Sequence, residues 1–265
     1  MLRHGLHPTL HIAHRGGAGL APENTMAAFR QAVERWRTDM LELDVRPTRD
    51  GHLVVFHDAT LDRCTDAAGP VEERTLDALR RLDAGFRFTS DGGRTFPYRG
   101  RGVTVPTFTE VLTAFPDLRL NVELKAGPLS AAAIPILARE AQPHKDRLCL
   151  GSEDDALAAA LHEALPEATH FFPAGALTAL VMALKSGGVP PAEPRFEVLD
   201  MPFVWQGIRL IDAPFLTACA ERGLWVNAWT VDAPEEMRYL VEVGVGGIMT
   251  DRPDLLRDVL SSKDR

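Results

Sequence analysis

The sequence predicts an α/β protein of the (β/α)₈ TIM-barrel type. Three observations carry this. Short β-type runs recur eight times, with helix-type runs between them, across 265 residues. That length matches the roughly 250 residues such a barrel takes. The turn after the first run, His14-Arg15-Gly16-Gly17-Ala18-Gly19, lacks the glycine spacing of a dinucleotide-binding sheet and is soon followed by Pro22. An open doubly wound sheet is therefore the weaker alternative.

The β-type runs are residues 10–14, 40–46, 118–125, 147–151, 169–172, 197–201, 224–231 and 247–249. Between them, residues 25–37 place Met26, Phe29, Val33 and Trp36 at helical spacing. Residues 154–164, 176–185, 213–222, 234–243 and 253–260 read the same way. Several start near Pro or Asp and stop before a glycine, as at Gly223 and Gly244. Residues 40–46 turn at Asp50-Gly51 into residues 53–56, a hairpin signature. Residues 58–108 break the rhythm and include a Gly- and Arg-rich stretch. They read as a small insertion after the second barrel strand, capping one end of a single domain over residues 1–265.

The net charge is −8 and the isoelectric point is near 5.6. This argues against sequence-blind nucleic-acid binding, which needs a basic face. A small anionic substrate needs only a few basic residues in one pocket. Cys64, Cys149 and Cys219 form neither a disulfide framework nor a zinc pattern, which suits a reducing compartment. Residues 1–14 show no apolar leader. The most apolar run, residues 171–184, holds Pro173 and Gly175 and falls short of the about 20 residues a membrane span needs. The expectation is a soluble, cytoplasmic protein with no transmembrane segment.

The chemistry begins in Leu41-Glu42-Leu43-Asp44-Val45. Strand side chains alternate, so Glu42 and Asp44 face the barrel interior while their apolar neighbours face the helices. Two inward carboxylates need a partner. A hard divalent cation fits, because Mg²⁺ and Ca²⁺ take oxygen ligands. An ion pair with Arg or Lys is the other reading. Leu120-Asn121-Val122-Glu123-Leu124-Lys125 repeats the pattern. A Glu123–Lys125 pair would account for that strand but leaves Glu42 and Asp44 unexplained.

His14-Arg15 ends the first strand and His57-Asp58 ends the hairpin's return strand. Strand C-termini form the active face of a barrel. A lone histidine is more often a structural hydrogen-bonder. Two of them beside an acidic cluster suit proton transfer in both directions. Arg15 offers a fork for phosphate and Lys125 a second positive charge. Together these describe a site for a phosphate ester. Trp229 shares the parity of Asn227 and offers an apolar wall for a substrate's carbon skeleton; the plainer reading is a core or rim tryptophan. Asp251 reads as a cap for the last helix. Cys64 carries no nucleophile signature.

Taken in order, these residues resemble the glycerophosphodiester phosphodiesterase family, a group of phosphatidylinositol-phospholipase-C-like barrels. The match runs through His14-Arg15-Gly16, Pro22-Glu23-Asn24-Thr25, Glu42-Leu43-Asp44-Val45, Asp50-Gly51, His57-Asp58 and Leu61-Asp62-Arg63-Cys64-Thr65. It continues through Val105-Pro106-Thr107, Glu123-Leu124-Lys125, Trp229-Thr230-Val231 and residues 247–253. The resemblance implies hydrolysis of a glycerophosphodiester to glycerol 3-phosphate and an alcohol. It implies Glu42, Asp44 and Glu123 as ligands of one divalent cation, Mg²⁺ or Ca²⁺, with Mn²⁺ also compatible. It implies His14 and His57 as the acid–base pair, Arg15 and Lys125 on phosphate, and Trp229 beside the glycerol. The nucleophile is water or the glycerol 2-hydroxyl, and the family implies the latter, through a cyclic phosphate.

The Gly16-Gly17-Ala18-Gly19 turn and Met26-Ala27-Ala28-Phe29 resemble members that act on lysophospholipids and release lysophosphatidic acid. Residues 175–184 with 187–191 would then form a lipid-facing lip and touch lipid surfaces transiently. A core helix followed by a loop is the plainer reading of that stretch. Two other classes compete. A Schiff-base aldolase or isomerase would need a neutral Lys125, which Glu123 opposes. A barrel that binds phosphate or lipid without cutting would be expected to lack a histidine or a carboxylate of this set.

Overall fold

The computed structural model describes residues 9–262. Residues 1–8, where most of the expected absence of a leader falls, and 263–265 lie outside them. Among the described residues, no helix is long and apolar enough to cross a membrane.

Apolar alternation sets the barrel. Its first strands are β1 (Leu10–Ala13), β2 (Met40–Pro47), the short β3 (Leu53–Val55), β4 (Arg119–Leu124), β5 (Leu148–Gly151), β6 (Thr169–His170) and β7 (Val198–Pro202). A small hairpin, β8 (Val204–Trp205) and β9 (Ile208–Arg209), precedes β10 (Trp225–Trp229) and β11 (Gly247–Thr250). Eight strands run parallel in the order β6-β5-β4-β2-β1-β11-β10-β7. The ring closes between β6 and β7 through one bridge, Phe171 to Val198. β3 lies antiparallel on β2, as the hairpin signature predicts.

Side chains of opposite parity meet different surroundings. Leu41, Leu43 and Val45 are fully buried and pack outward with Phe29, Phe108 and Leu137 of the surrounding helices. Inside the ring, Ile12, Met40, Phe171, Trp225 and Met249 form an apolar floor. A polar layer also faces inward. Asp200 accepts hydrogen bonds from Asn121 Nδ2 (2.7 Å) and Asn227 Nδ2 (2.8 Å), and Asn227 Oδ1 accepts from Trp225 Nε1 (2.8 Å). The interior is thus a packed plug, and only its C-terminal mouth is open for chemistry.

The helices follow the strands. They are α1 (Met26–Arg30), α2 (Leu76–Leu79), α3 (Phe108–Ala114), α4 (Ser130–Ala141), α5 (Asp155–Ala164), α6 (Ala174–Ser186), α7 (Ala213–Ala220), α8 (Pro234–Val243) and α9 (Pro253–Ser262). The helix predicted over 25–37 starts at a Thr25 cap, since the Thr25 hydroxyl accepts from the Ala28 amide (3.3 Å). It loosens after Arg30 into a π-turn over Gln31–Arg35. Three helices, α2, α3 and α4, and the β8–β9 hairpin lie beyond the sequence prediction. α4 carries Pro135 in its interior, which ordinarily argues against a helix. α3 starts at a Thr107–Glu110 capping box but is only seven residues long.

Residues 58–108 form a mostly irregular segment around α2. They have a small core of their own, in which Leu61, Val71 and Leu79 pack with Val54 of β3.

Candidate active site

The carboxylates come from neighbouring strands. The β2–β4 register sets Glu42 beside Asn121 and Asp44 beside Glu123. Glu42 and Asp44 are both buried. Burial, and then the charge of Asp44, push the carboxyls of Glu42 and Glu123 well above the usual range. Cations gather in response. The Arg15 amide donates to Glu42 Oε2 (2.8 Å), and its guanidinium Nε lies 3.4 Å from Asp44 Oδ2. Lys125 Nζ donates to Glu123 Oε1 (2.9 Å) and lies 3.9 Å from Asp44 Oδ1. Asn24 Nδ2 donates to Asp44 Oδ2 (2.8 Å).

Each histidine is held through the same nitrogen. His14 Nδ1 donates to Asp251 Oδ1 (2.7 Å), and His57 Nδ1 donates to Asp58 Oδ1 (2.7 Å). That leaves Nε2 of each ring for proton transfer. Their environments push them apart. Burial lowers the His14 pKa, but Glu42 and Asp251 outweigh it and the net shift is upward. For His57, burial dominates and the shift is downward, despite Asp44 and Asp58. Pairs of titratable groups pushed in opposite directions are the raw material of acid–base catalysis. Asp58 is itself fixed by Arg63, whose Nε and Nη2 donate to its two oxygens (2.7 and 2.8 Å).

All eight predicted site residues line one cleft of about 510 Å³. His14, Arg15, Glu42, Asp44, His57, Glu123 and Lys125 make up its charged part, and Asp44 sits between the two cations, 3.4 Å from Arg15 Nε and 3.9 Å from Lys125 Nζ. Trp229 also faces this cleft. Beyond them the wall is largely apolar, with Leu177, Val181 and Met182 of α6, Trp205 of the hairpin, and Leu210, although Asn121, Glu153, Thr178 and Asp200 also line it. Residues 187–191, expected to share a lip with α6, are not among the lining residues. The hairpin stands there instead. The ring is thus one cleft with a charged half and an apolar half.

Three further residues belong to this site. Asp251, read from the sequence as a helix cap, instead holds His14. Its position at the C-terminal end of β11 was the available signal, because barrel chemistry gathers there. Asn24 and Glu23 sit in the Pro22–Thr25 motif without a role assigned from sequence. Asn24 braces Asp44, and Glu23 Oε1 accepts from Arg15 Nη1 (3.0 Å). Cys64 lies beside the cleft, and burial with the Glu23 charge pushes its thiol up to about 12, so it is no nucleophile near neutral pH. Lys125 stays charged, because Glu123 and Asp44 outweigh its burial. A Schiff-base role would need the opposite shift.

Among the described residues, no group of three or more His, Cys, Asp or Glu side chains is already gathered as a metal cage. Both readings of the carboxylates therefore have a footing. Glu123 and Asp44 are paired with cations, as the ion-pair reading requires. Three inward carboxylates on adjacent strands, two of them with raised pKa, also form an oxygen donor set that a hard cation suits.

A barrel whose C-terminal mouth joins paired imidazoles, two cations and buried carboxylates has the groups that phosphodiester hydrolysis calls for. The model of the Glycerophosphoryl diester phosphodiesterase family matches residues 14–255, and the chain belongs to that family. It is 34% identical over 259 residues to a glycerophosphodiester phosphodiesterase of Caldanaerobacter subterraneus, covering 94% of this chain and 96% of that one. A human protein named lysophospholipase D GDPD1 is 27% identical, over 94% of this chain and 85% of its own. The structure of an Oleispira antarctica phosphodiesterase in complex with the product sn-glycerol-3-phosphate superposes with a TM-score of 0.76 at 26% identity, over 94% of this chain and 96% of that one. The corresponding domain of Rv2277c from Mycobacterium tuberculosis shares the fold, with a TM-score of 0.83 at 22% identity, over 97% of this chain and all of that one.

Proposed function

We propose that this chain hydrolyses glycerophosphodiesters to glycerol 3-phosphate and an alcohol, with one divalent cation at Glu42, Asp44 and Glu123. The observation that carries the reading is the convergence of His14, His57, Arg15 and Lys125 in a single cleft. Arg15 and Lys125 bind the phosphate oxygens and draw off the charge that grows on them. One imidazole takes the proton of the glycerol 2-hydroxyl as it attacks phosphorus, and the other protonates the leaving alkoxide; water then opens the cyclic phosphate to glycerol 3-phosphate with the proton-transfer roles reversed. Asp251 and Asp58 hold the two rings so that Nε2 points to the reaction. Trp229 packs against the glycerol carbons. Bound at the three carboxylates, Mg²⁺, Ca²⁺ or Mn²⁺ supplies Lewis-acid polarisation of the phosphate. A cation held there would compete with Lys125 for Glu123, whose present contact is 2.9 Å, and so leave the ammonium to the substrate.

The apolar half of the cleft favours a second reading. Leu177, Val181 and Met182 offer more apolar wall than a choline or glycerol group needs, and an acyl chain would cover it. The enzyme would then act as a lysophospholipase D and release lysophosphatidic acid, touching a lipid surface to load its substrate.

Phosphorus NMR separates the readings. The purified protein is mixed with glycerophosphocholine and with lysophosphatidylcholine, with Mg²⁺ and with EDTA. Metal-dependent appearance of glycerol 3-phosphate supports the first reading, and lysophosphatidic acid the second. No turnover of either, with Mg²⁺, Mn²⁺ and Ca²⁺ each supplied, overturns both.

A further inference from the structure

Arg46 continues the inward row that starts with Glu42 and Asp44, yet it does not line the cleft. Its side chain is only 6% exposed and that of its partner Glu72 only 7%. Nε of Arg46 donates to the backbone oxygen of His57 (2.8 Å). Nη1 donates to Glu72 Oε1 (3.2 Å) and to the backbone oxygen of Ala126 (3.1 Å). Glu72 lies on a 3₁₀ turn, Val71–Glu73, inside the irregular segment that follows β3. Its Oε2 accepts from the Leu129 amide (2.7 Å). A Cβ built on Gly127 would lie 2.0 Å from Glu72 Oε1, so the loop must carry glycine there for the carboxylate to seat. On the far side, Ser130 Oγ donates to the Lys125 backbone oxygen (2.6 Å).

Three pieces of chain therefore meet on one guanidinium: the strand end that carries His57, the loop that follows Lys125, and the segment that holds Glu72. We propose that Arg46 and Glu72 form a buried latch that fixes the separation of His57 and Lys125, which makes the 58–108 segment a working part of the active site. This rests on the roles assigned to His57 and Lys125 above. Arg46 and Glu72 are positioning residues, since neither reaches the cleft. Net stability is a poor reason for such a pair. Apolar replacement of a buried ion pair is often neutral or stabilising, whereas removal of one partner is costly. Geometry is the better reason, because a displacement of about 1 Å can cost about 10²-fold in rate.

The test uses the full chain with Mg²⁺ and glycerophosphocholine. Arg46→Met/Glu72→Leu removes both charges together, and Arg46→Lys keeps both but loses the planar fork of donors. The double variant is expected to melt within a few degrees of the wild type yet lose about 10–100-fold in kcat with KM little changed. Arg46→Lys, which can serve only some of the three acceptors, is expected to fall between. A double variant with wild-type kcat overturns the proposal. Should the double variant fail to fold, folded Arg46→Lys and Glu72→Gln decide instead, and unchanged kcat in both overturns it. His57→Asn separates the two levels. If His57→Asn is fully active, the underlying reading of the site has failed. If it is inactive while the latch variants are unaffected, the latch alone has failed.

Discussion

Asp251 and His14 stand 237 positions apart in the chain and 2.7 Å apart in space, with His14 Nδ1 donating to the Asp251 carboxylate. The parallel pairing of β1 with β11 makes this possible, because it sets Ala13 opposite Thr250 just before the two residues. Asp251 is held in turn by its own amide, which donates to Asp232 Oδ1 (2.8 Å). The imidazole thus gains both an orientation and a counter-charge from the last strand of the barrel.

Asp251→Asn removes the charge and leaves the shape. The variant should lose at least about tenfold in kcat/KM, by analogy with other oriented imidazoles. The sign of its pH effect follows from the environment of His14. Asp251 raises the His14 pKa, so without it the pH–rate limb that reports His14 should move to lower pH. Profiles of kcat/KM against pH for both proteins measure this. A profile of unchanged shape would sink the role given to Asp251.

Binding of the cation should be visible without turnover. Mg²⁺ is expected to raise the melting temperature of the wild type, because it binds the folded chain and not the unfolded one. Glu42→Gln, Asp44→Asn and Glu123→Gln should each abolish that rise and lose activity while remaining folded. EDTA should reproduce the inactive state reversibly. A Mg²⁺-induced rise that survives all three substitutions would place the ion elsewhere.

Asp58 ties pH to stability. Its carboxyl lies well below the usual range, first through the hydrogen bonds from Arg63 and then through His57. An acid whose folded pKa is depressed contributes stability above its unfolded value of about 3.9, and loses it as pH falls through the folded value. Asp58→Asn should therefore melt below the wild type at pH 7. The gap should narrow as the pH drops below about 4. Melting curves at pH 7, 5 and 3 check the trend, and a gap that widens in acid would contradict it.

The apolar wall should sort substrates. Met182→Asp puts a charge where an acyl chain would lie, at an exposed position that touches none of the charged cluster. Turnover of lysophosphatidylcholine should fall by about tenfold or more, the equivalent of about 1.4 kcal/mol of lost contact. Glycerophosphocholine, with no chain to place, should change little. Equal losses on both substrates would show that the wall serves the fold and not the chain.

Much of this was legible in the sequence because the barrel has a strict period. Alternation alone put Glu42, Asp44 and Glu123 on the inner face, and the strand ends put His14 and His57 at the mouth. Parity put Trp229 on the same inner face as Asn227, and the family resemblance narrowed the substrate to a glycerophosphodiester. What the sequence hid depends on pairing between distant segments. Asp251 reads as a helix cap until β11 is laid beside β1. Arg46 shares the inward parity of Glu42 and Asp44, but its partner Glu72 emerges only when the segment after β3 and the loop after Lys125 close on it. The β8–β9 hairpin has strands of two residues, too short for any period, and it turns at Gln206-Gly207 where both φ angles are positive. α4 was hidden by Pro135. Helix and strand patterns report local geometry, whereas these features are tertiary.

The closure of the ring has its own consequence. Between β6 and β7 the strands meet at one bridge, Phe171 to Val198, whereas β2 and β4 pair over six residues in unbroken register. The charged cluster rides on the tightly laced side. The apolar wall rises beside the loosely laced one. A cask with a single slack stave swells only there. Local opening draws on the regions with fewest backbone hydrogen bonds, so the barrel is expected to loosen first at this seam, beside the apolar wall and away from the charged cluster.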